Sequence, residues 1–287
     1  MSKNKGFYIR MGIAMENQYR SRLKEAQRIV VKVGTSTLTH ENGKMNFSRM
    51  DRLAMVLSEL MNEDKEIILV SSGSIGVGMG KFSFKKRPAG MGMKQALAAI
   101  GQCELMNIYS RLFATYNQMV AQVLLTKHDV DDDIKKTNVM NTFKSLFDLG
   151  VIPIVNENDT VSVDEIKSLL MFGDNDTLSA VVAKLVGADL LIILSDIDGL
   201  YDSNPKENKE CRLISIVEKI DDSLKKCAGS AGTKRGTGGM ITKLNAAEIV
   251  TEAGTDMIIA NGSDPMIIMD ILNGGEIGTL FVGKRRE

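Results

Sequence analysis

Short apolar runs alternate with helically spaced ones along most of this chain. "RIVVKVG" (Arg28 to Gly34) and "EIILVSSG" (Glu66 to Gly73) are apolar nearly throughout and end in Ser or Gly, which predicts buried strands. Between them Phe47, Met50, Leu53, Leu57, Leu60 and Met61 recur at helical spacing. Further on, "VAQVLLT", "VIPIVN", "DLLIILSD", "TDMIIANG" and "GTLFVG" read as strands. "MKQALAAIGQCELMNIYSRLFATY", "NVMNTFKSLFDLG" (stopped by Gly150), "DTLSAVVAKLVGA" and "MITKLNAAEIVTEAG" read as helices, and "PMIIMDILNGG" completes the pattern. Strands that are continuously rather than alternately apolar predict a sheet covered on both faces, and the β-then-α order predicts parallel pairing. The expected fold class is therefore α/β: one three-layer α/β/α sandwich with a mainly parallel central sheet, spanning residues 28–287. Residues 1–27 are polar and basic and are expected to form an extension outside it, with Met11 and Met15 as alternative starts.

Composition narrows the chemistry. At 287 residues and 44% hydrophobic, the chain can bury a large core. Lys+Arg and Asp+Glu balance at 36 each, so net charge points to neither nucleic acid nor an anionic membrane. No apolar run approaches the ~18 residues of a membrane span, and the start lacks a signal-peptide core. Three cysteines, Cys103, Cys211 and Cys227, are odd in number and form no C-x-x-C, which fits a reducing cytoplasm better than a disulfide framework or zinc cage. With only His40 and His128, a His-based triad or multi-His metal site lacks its material.

Open parallel sheets bind ligands beyond the carboxyl ends of their strands. Those ends read "KVGTS", "SSGSIG", "NEND", "SDIDGLY" and "NGSDP", nearly all Gly, Ser, Asn, Asp or Lys. Lys32 sits inside an apolar strand, where it needs either an anion or a route to solvent. The glycines 73, 76, 78 and 80 miss the G-x-G-x-x-G spacing and serve either an anion site at a helix start or close helix–sheet packing. "NENDTV" and "GDNDTLSA" gather Asn156, Asp159, Asp174, Asn175 and Asp176. Helix capping by Asn175 or Asp176 explains one of these, not all. "SDIDGLYDSNP" is either a surface turn or part of a site, "KHDVDDD" a solvated helix start, and the 18 methionines core filler. "GTGGMITK" lacks the P-loop order, yet Gly236, Gly238 and Gly239 admit close backbone approach and Lys243 lies one turn into the following helix. Lys32 and Lys243 could bracket a transferring phosphoryl group from opposite sides. Two lysines, glycine amides and carboxylates without a histidine base suit phosphoryl transfer. The missing base favours an acceptor already ionised, a carboxylate, over a hydroxyl.

These segments, with "VVKVGTSTLT", "VSSGSIGVG", "ALAAIGQ" and "DGLYDSNP", resemble the amino-acid kinase family over about Arg28 to Gly283, and within it the members that phosphorylate glutamate. The resemblance implies transfer from ATP, with Mg2+ on its phosphates and no direct protein metal ligand, to the γ-carboxylate of L-glutamate. The product would be L-glutamyl 5-phosphate, the first intermediate of proline synthesis. It implies Lys32 and Lys243 as the phosphate-stabilising pair, oriented by Asp176. Ser72, Asp159 and Asn175 would hold glutamate, with Gly73, Asn156 and Asp174 beside them. ATP would lie on Lys32, Gly34, Ser195, Asp196, Gly199, Tyr201, Pro205 and the run Thr237, Gly238, Gly239, Met240, Ile241, Thr242, Lys243. A homo-oligomer (dimer or tetramer), feedback inhibition by proline and coupling to a glutamyl-phosphate reductase are further implications, with neither nucleic acid nor membrane as partner. The chain departs from the family in two places: no C-terminal PUA domain is expected, and "EIKSLLMFGDND" carries about four extra residues beside the glutamate site. Another carboxylate or phosphate kinase of the same fold, or a catalytically silent amino-acid or nucleotide sensor, stand as alternatives.

Overall fold

The computed structural model describes residues 18–40, 43–82, 84, 86–161, 172–205, 208, 210–222, 224–225 and 239–284. The strands are β1 (Arg28–Val33), β2 (Glu66–Ser71), β3 (Val120–Leu125), β4 (Ile152–Glu157), β5 (Leu190–Ser195), β6 (Ile216–Val217), β7 (Asp256–Asn261) and β8 (Thr279–Phe281). They form one sheet in the order β3-β4-β2-β1-β5-β7-β8-β6, parallel except where β8 runs against β7. The helices are α1 (Thr35–Leu38), α2 (Phe47–Asn62), α3 (Ser74–Lys81), α4 (Met91–Thr115), α5 (Lys127–Asp131), α6 (Asp133–Asp148), α7 (Asn175–Val186), α8 (Met240–Glu252) and α9 (Ile267–Leu272).

The pleat explains why the strands are apolar throughout. In β1, Ile29, Val31 and Val33 join Leu53 and Leu57 of α2 and Leu105 and Tyr109 of α4 in one core. Val30 faces the other way and packs with Leu178 and Val182 of α7 and Leu244 and Ala247 of α8. Alternate residues thus feed two cores, giving the expected three layers. Lys32 shares the parity of Val30, so its side chain leaves the sheet on the α7 and α8 side. That parity decides what it meets.

Helix ends follow local chemistry. Gly150 stops α6 at φ +64°, and Gly187 closes α7 at the same angle, a conformation that costs a side-chain-bearing residue more. The "KHDVDDD" run starts a helix as expected, with Thr126 and Asp129 forming a reciprocal capping box ahead of α5. The methionines divide: Met50 and Met257 are core, whereas Met119 at 65% and Met93 at 50% are largely exposed. Cys103 and Cys211 carry free thiols, and Cys227 lies outside the described residues. Among the described residues no helix is long and apolar enough to cross a membrane.

The expected boundary at residue 28 is corrected by Arg20 and Leu23, both 1% exposed. Arg20 Nη1 donates to the carbonyls of Gly275 and Ile277, and Nη2 to those of Ser215 and Gly278 and to Ser215 Oγ, all within 3.1 Å. Residues 18–27 therefore belong to the domain. Composition hid this because a guanidinium reads as surface unless its acceptors are known.

Candidate active site

Beyond β1 the chain proceeds to β2 on one side, while β5 pairs on the other. The crevice of a parallel sheet opens where such halves diverge. There a cleft of ≈ 380 Å³ is lined by residues from the carboxyl ends of β1, β2, β4 and β5 and from the starts of α3 and α7. Of the residues expected to hold ligands, Lys32, Gly34, Ser72, Gly73, Asn156, Asp159, Asp174, Asn175, Asp176, Ser195, Asp196 and Lys243 all line it.

Asp176 is the hub. It is 1% exposed, in the first turn of α7, and its two oxygens take different cations. Lys32 Nζ lies 2.6 Å from Oδ1 and Lys243 Nζ 3.0 Å from Oδ2, while Thr242 Oγ1 donates to Oδ2 at 2.9 Å. Burial pushes this carboxyl up, but the charges of Lys32 and Lys243 outweigh it and hold the pKa at about 2. One carboxylate thus holds two ammonium groups side by side at the cleft wall, an arrangement that suits a phosphate.

The cap of α7 is neither Asn175 nor Asp176 but Asp174, which accepts from the Thr177 amide at 2.8 Å. That frees its two successors for the cleft. Asn175 Nδ2 donates to Ser72 Oγ at 2.8 Å and to Asn156 Oδ1 at 3.0 Å, joining α7 to the ends of β2 and β4. Asp159 accepts from Ser74 Oγ at 3.2 Å; burial raises its pKa, opposed by Ser74 and the Arg87 charge. Burial likewise raises Asp174, against the bond from the Thr177 amide.

The glycines of "SSGSIGVGMG" divide between the two readings. Gly73 precedes α3 at φ +107°. Gly78 is there for packing: a Cβ on it would lie 2.1 Å from the Leu97 carbonyl oxygen of α4. The close contact is with a helix rather than the sheet.

Several expected residues stand apart from the cleft. Met240 is buried in the core beside Leu244, and Ile241 is half exposed to solvent. Gly199 packs on Thr279, whose Oγ1 would meet a Cβ there at 2.6 Å, and Tyr201 donates its hydroxyl to Asp198 at 3.0 Å. Gly199, Tyr201, Pro205, Gly239, Met240 and Ile241 do not line the cleft, whereas Thr242 touches it through Asp176. Thr237, Gly238 and most of "EIKSLLMFGDND" lie outside the described residues. Conversely, Glu157 and Arg87 line the cleft without having been singled out. Glu157 was legible in "NEND"; Arg87, in a basic surface-like "KKRP", carried no signal. Among the described residues no three His, Cys, Asp or Glu side chains gather as a metal cage.

This fold and site define a class, and the chain belongs to the amino acid kinase family, whose pattern matches residues 27–261. Solved structures of isopentenyl phosphate kinase (TM-score 0.63, 17% identical, 89% of this chain and 100% of that one) share the fold. So does carbamate kinase from Giardia lamblia bound to AMP-PNP (TM-score 0.63, 14% identical, 91% and 100% covered). In sequence the chain is similar to the glutamate 5-kinase of Clostridium perfringens, 55% identical over 93% of this chain and 100% of that protein. It is likewise similar to the glutamate 5-kinases of Listeria monocytogenes (53% identical, 93% and 97% covered) and Enterococcus faecalis (52%, 92% and 97%).

Proposed function

We propose that this chain transfers the γ-phosphoryl group of ATP to the γ-carboxylate of L-glutamate, giving ADP and L-glutamyl 5-phosphate, the first step of proline synthesis. The observation that carries the reading is the Lys32–Asp176–Lys243 triad, two buried ammonium groups held on one carboxylate at the cleft wall, together with relatives named glutamate 5-kinase. A γ-carboxylate oxygen forms the new O–P bond as the bond from that phosphorus to the ADP oxygen breaks. No proton has to be removed, consistent with a cleft lining that contains no histidine. Lys32 and Lys243 neutralise charge on the phosphoryl oxygens, and Asp176 keeps both oriented. Ser72, Asp159 and Asn175 hold the amino acid, and Gly34, Ser195 and Asp196 border the nucleotide. Mg2+ bound to the ATP phosphates would neutralise further charge. A homo-oligomer, inhibition by proline, a downstream glutamyl-phosphate reductase and a cytoplasmic location belong to the same reading.

The test is ADP release with and without glutamate, with hydroxylamine trapping the product as the γ-hydroxamate. Glutamate should far exceed N-acetylglutamate, which lacks the ammonium and leaves a buried acid unpaired at roughly 3–5 kcal/mol. It should exceed aspartate on the order of a hundredfold, because one missing methylene pulls the carboxylate out of line. Equal turnover of N-acetylglutamate, or glutamate-dependent ADP without hydroxamate, rejects the proposal.

A further inference from the structure

Five acids line the cleft, and four of them are accounted for. Asp176 holds Lys32 and Lys243. Asp174 spends both oxygens on Thr177, Oδ1 on its amide and Oδ2 on its hydroxyl. Asp159 accepts from Ser74 and feels the Arg87 charge, and Asp196 is exposed. The neighbouring amides are engaged as well, Asn175 with Ser72 and Asn156, and Asn156 with Gln102 at 2.9 Å.

Glu157 is the exception. It ends β4 with the parity of Val155, which packs into the α7 and α8 core, so it leaves the sheet on the same face as Lys32. It is 9% exposed and lines the cleft. Its Oε1 accepts from the Phe172 amide, but among the described residues Oε2 takes no hydrogen bond and no ion pair reaches the carboxyl. The charges that act on it, those of Asp159 and Asp174, have its own sign. A carboxylate so placed is costly to ionise until a cation arrives. Once ionised it can only accept, so the partner it lacks is a positively charged donor.

We infer that Glu157 receives the ammonium of the acceptor on its free oxygen and is the residue that makes the site prefer an amino acid to a plain dicarboxylate. The inference rests on glutamate being the acceptor, and it identifies which acid recognises the nitrogen. An ammonium there also relieves the repulsion among Glu157, Asp159 and Asp174, whereas a dicarboxylate without one adds only negative charge.

The same contact carries a pH response. Around Glu157 stand Asp159 beyond β4 and Asp174 ahead of α7, with Arg87 acting on the first and Lys32 on the second. Burial, opposed by the Phe172 amide and reinforced by the two acids, pushes the Glu157 pKa up to about 7. Below that value the carboxyl keeps its proton and holds no ammonium; above it the charge is present. Because kcat/KM reports the free enzyme, its value for glutamate should climb about tenfold between pH 6 and pH 8.

The probe is glutarate, which has the carbon chain and both carboxylates of glutamate but no ammonium, used as a competing inhibitor. Wild-type and Glu157→Gln enzymes are compared by glutamate-dependent ADP release, with hydroxamate trapping of the product and thermal melts reporting folding. Gln keeps an oxygen for the Phe172 amide, so the variant removes the charge and spares that bond. At pH 8 Glu157→Gln should raise the KM for glutamate about tenfold or more. The Ki of glutarate should stay within about threefold or tighten, and the KM for ATP should stay within about twofold. The climb of kcat/KM with pH should shrink to about threefold or less in the variant, and glutarate should show no such gain in wild type. A folded variant with the wild-type KM for glutamate overturns the inference. So does one in which glutamate and glutarate weaken together, since Glu157 would then support the cleft without touching the ammonium. If the variant fails to fold, or glutarate binds too weakly to measure, the wild-type profile decides: a kcat/KM for glutamate that is flat from pH 6 to pH 8 overturns the inference. A wild-type enzyme that gives no glutamate-dependent hydroxamate rejects glutamate phosphorylation itself.

Discussion

Lys32 reaches from β1 to Asp176 on α7, Nζ to Oδ1 at 2.6 Å, and so ties this strand to the helix whose first turn lines the cleft. Because Lys243 holds the other oxygen, the three residues are not interchangeable in what their loss exposes. Removing either lysine leaves a one-to-one ion pair. Removing Asp176 leaves two buried cations facing each other. Asp176→Ala should therefore cost about 3–5 kcal/mol in urea unfolding, and Lys32→Ala or Lys243→Ala clearly less. In turnover the order differs: each lysine variant should lose roughly a hundred- to a thousandfold in kcat at saturating Mg-ATP. Near-normal kcat in either variant would remove that lysine from the mechanism.

Arg20 carries the second prediction. Its guanidinium is buried against three carbonyls between α9 and β8 and one ahead of β6, and Arg22 adds an ion pair to Asp256. Arg20→Ala would strand those carbonyls and should lower stability by about 2–4 kcal/mol, well beyond a surface substitution. Deleting residues 1–27 should do at least as much harm. An unchanged urea midpoint in Arg20→Ala would show that the contacts contribute nothing net.

That result bears on how far the sequence can be read. Seven of the eight strands, their order of appearance and the cleft at their carboxyl ends follow from apolar runs bounded by Gly, Ser, Asn and Asp, whereas β6, two residues long, has no such run. Lys32 stood out because charge inside such a run requires a partner, Asp176 through the acid and amide cluster of "GDND", and Lys243 through its place one turn beyond the glycines of "GTGGMITK". What stayed hidden depends on who the partner is. Arg20 is polar in every composition scale and is core only because carbonyls far along the chain converge on it. Gln102 lies in the quoted run "ALAAIGQ" with nothing to distinguish it until Asn156 is seen beside it. Capping assigned to Asn175 or Asp176 belongs to Asp174, a shift of one residue that pattern alone does not resolve.

Gly101 tests the helix pair behind Gly73 and Ser74 of the cleft wall. A Cβ there would sit 1.7 Å from the Ser74 carbonyl oxygen and 2.6 Å from the Gly78 nitrogen, so α3 and α4 would have to part. Ser74 holds Asp159, and Gly73 and Ser74 both line the cleft. Gly101→Ala should therefore destabilise by roughly 1–3 kcal/mol through overpacking and also raise the KM for glutamate more than that for ATP. A variant that loses stability while keeping both KM values would uncouple this crossing from the site.

Glu157 gives the opposite pH response to Asp176 within the same cleft. It accepts from the Phe172 amide at 3.0 Å, but burial, with Asp159 and Asp174 nearby, pushes its pKa up to about 7. The unfolded chain releases this proton near the ordinary ~4.3. Between those values the folded protein holds a proton that the unfolded chain has lost, so stability falls as pH rises through that window. Asp176 behaves in reverse: its contribution is present above the ordinary ~3.9 and is lost only as pH drops toward 2. Glu157→Gln keeps an oxygen for the Phe172 amide and carries no charge to desolvate. It should match wild type near pH 4 and exceed it by roughly 1–3 kcal/mol at pH 8, taking 1.36 kcal/mol per pKa unit and discounting for partial solvent access. Asp159 and Asp174 are raised too, so some downward slope should persist in the variant. Urea midpoints at pH 4, 6 and 8 measure it. A wild-type stability that climbs from pH 5 to 8 as steeply with Glu157 as without it would mean that this carboxyl ionises as freely as a surface one.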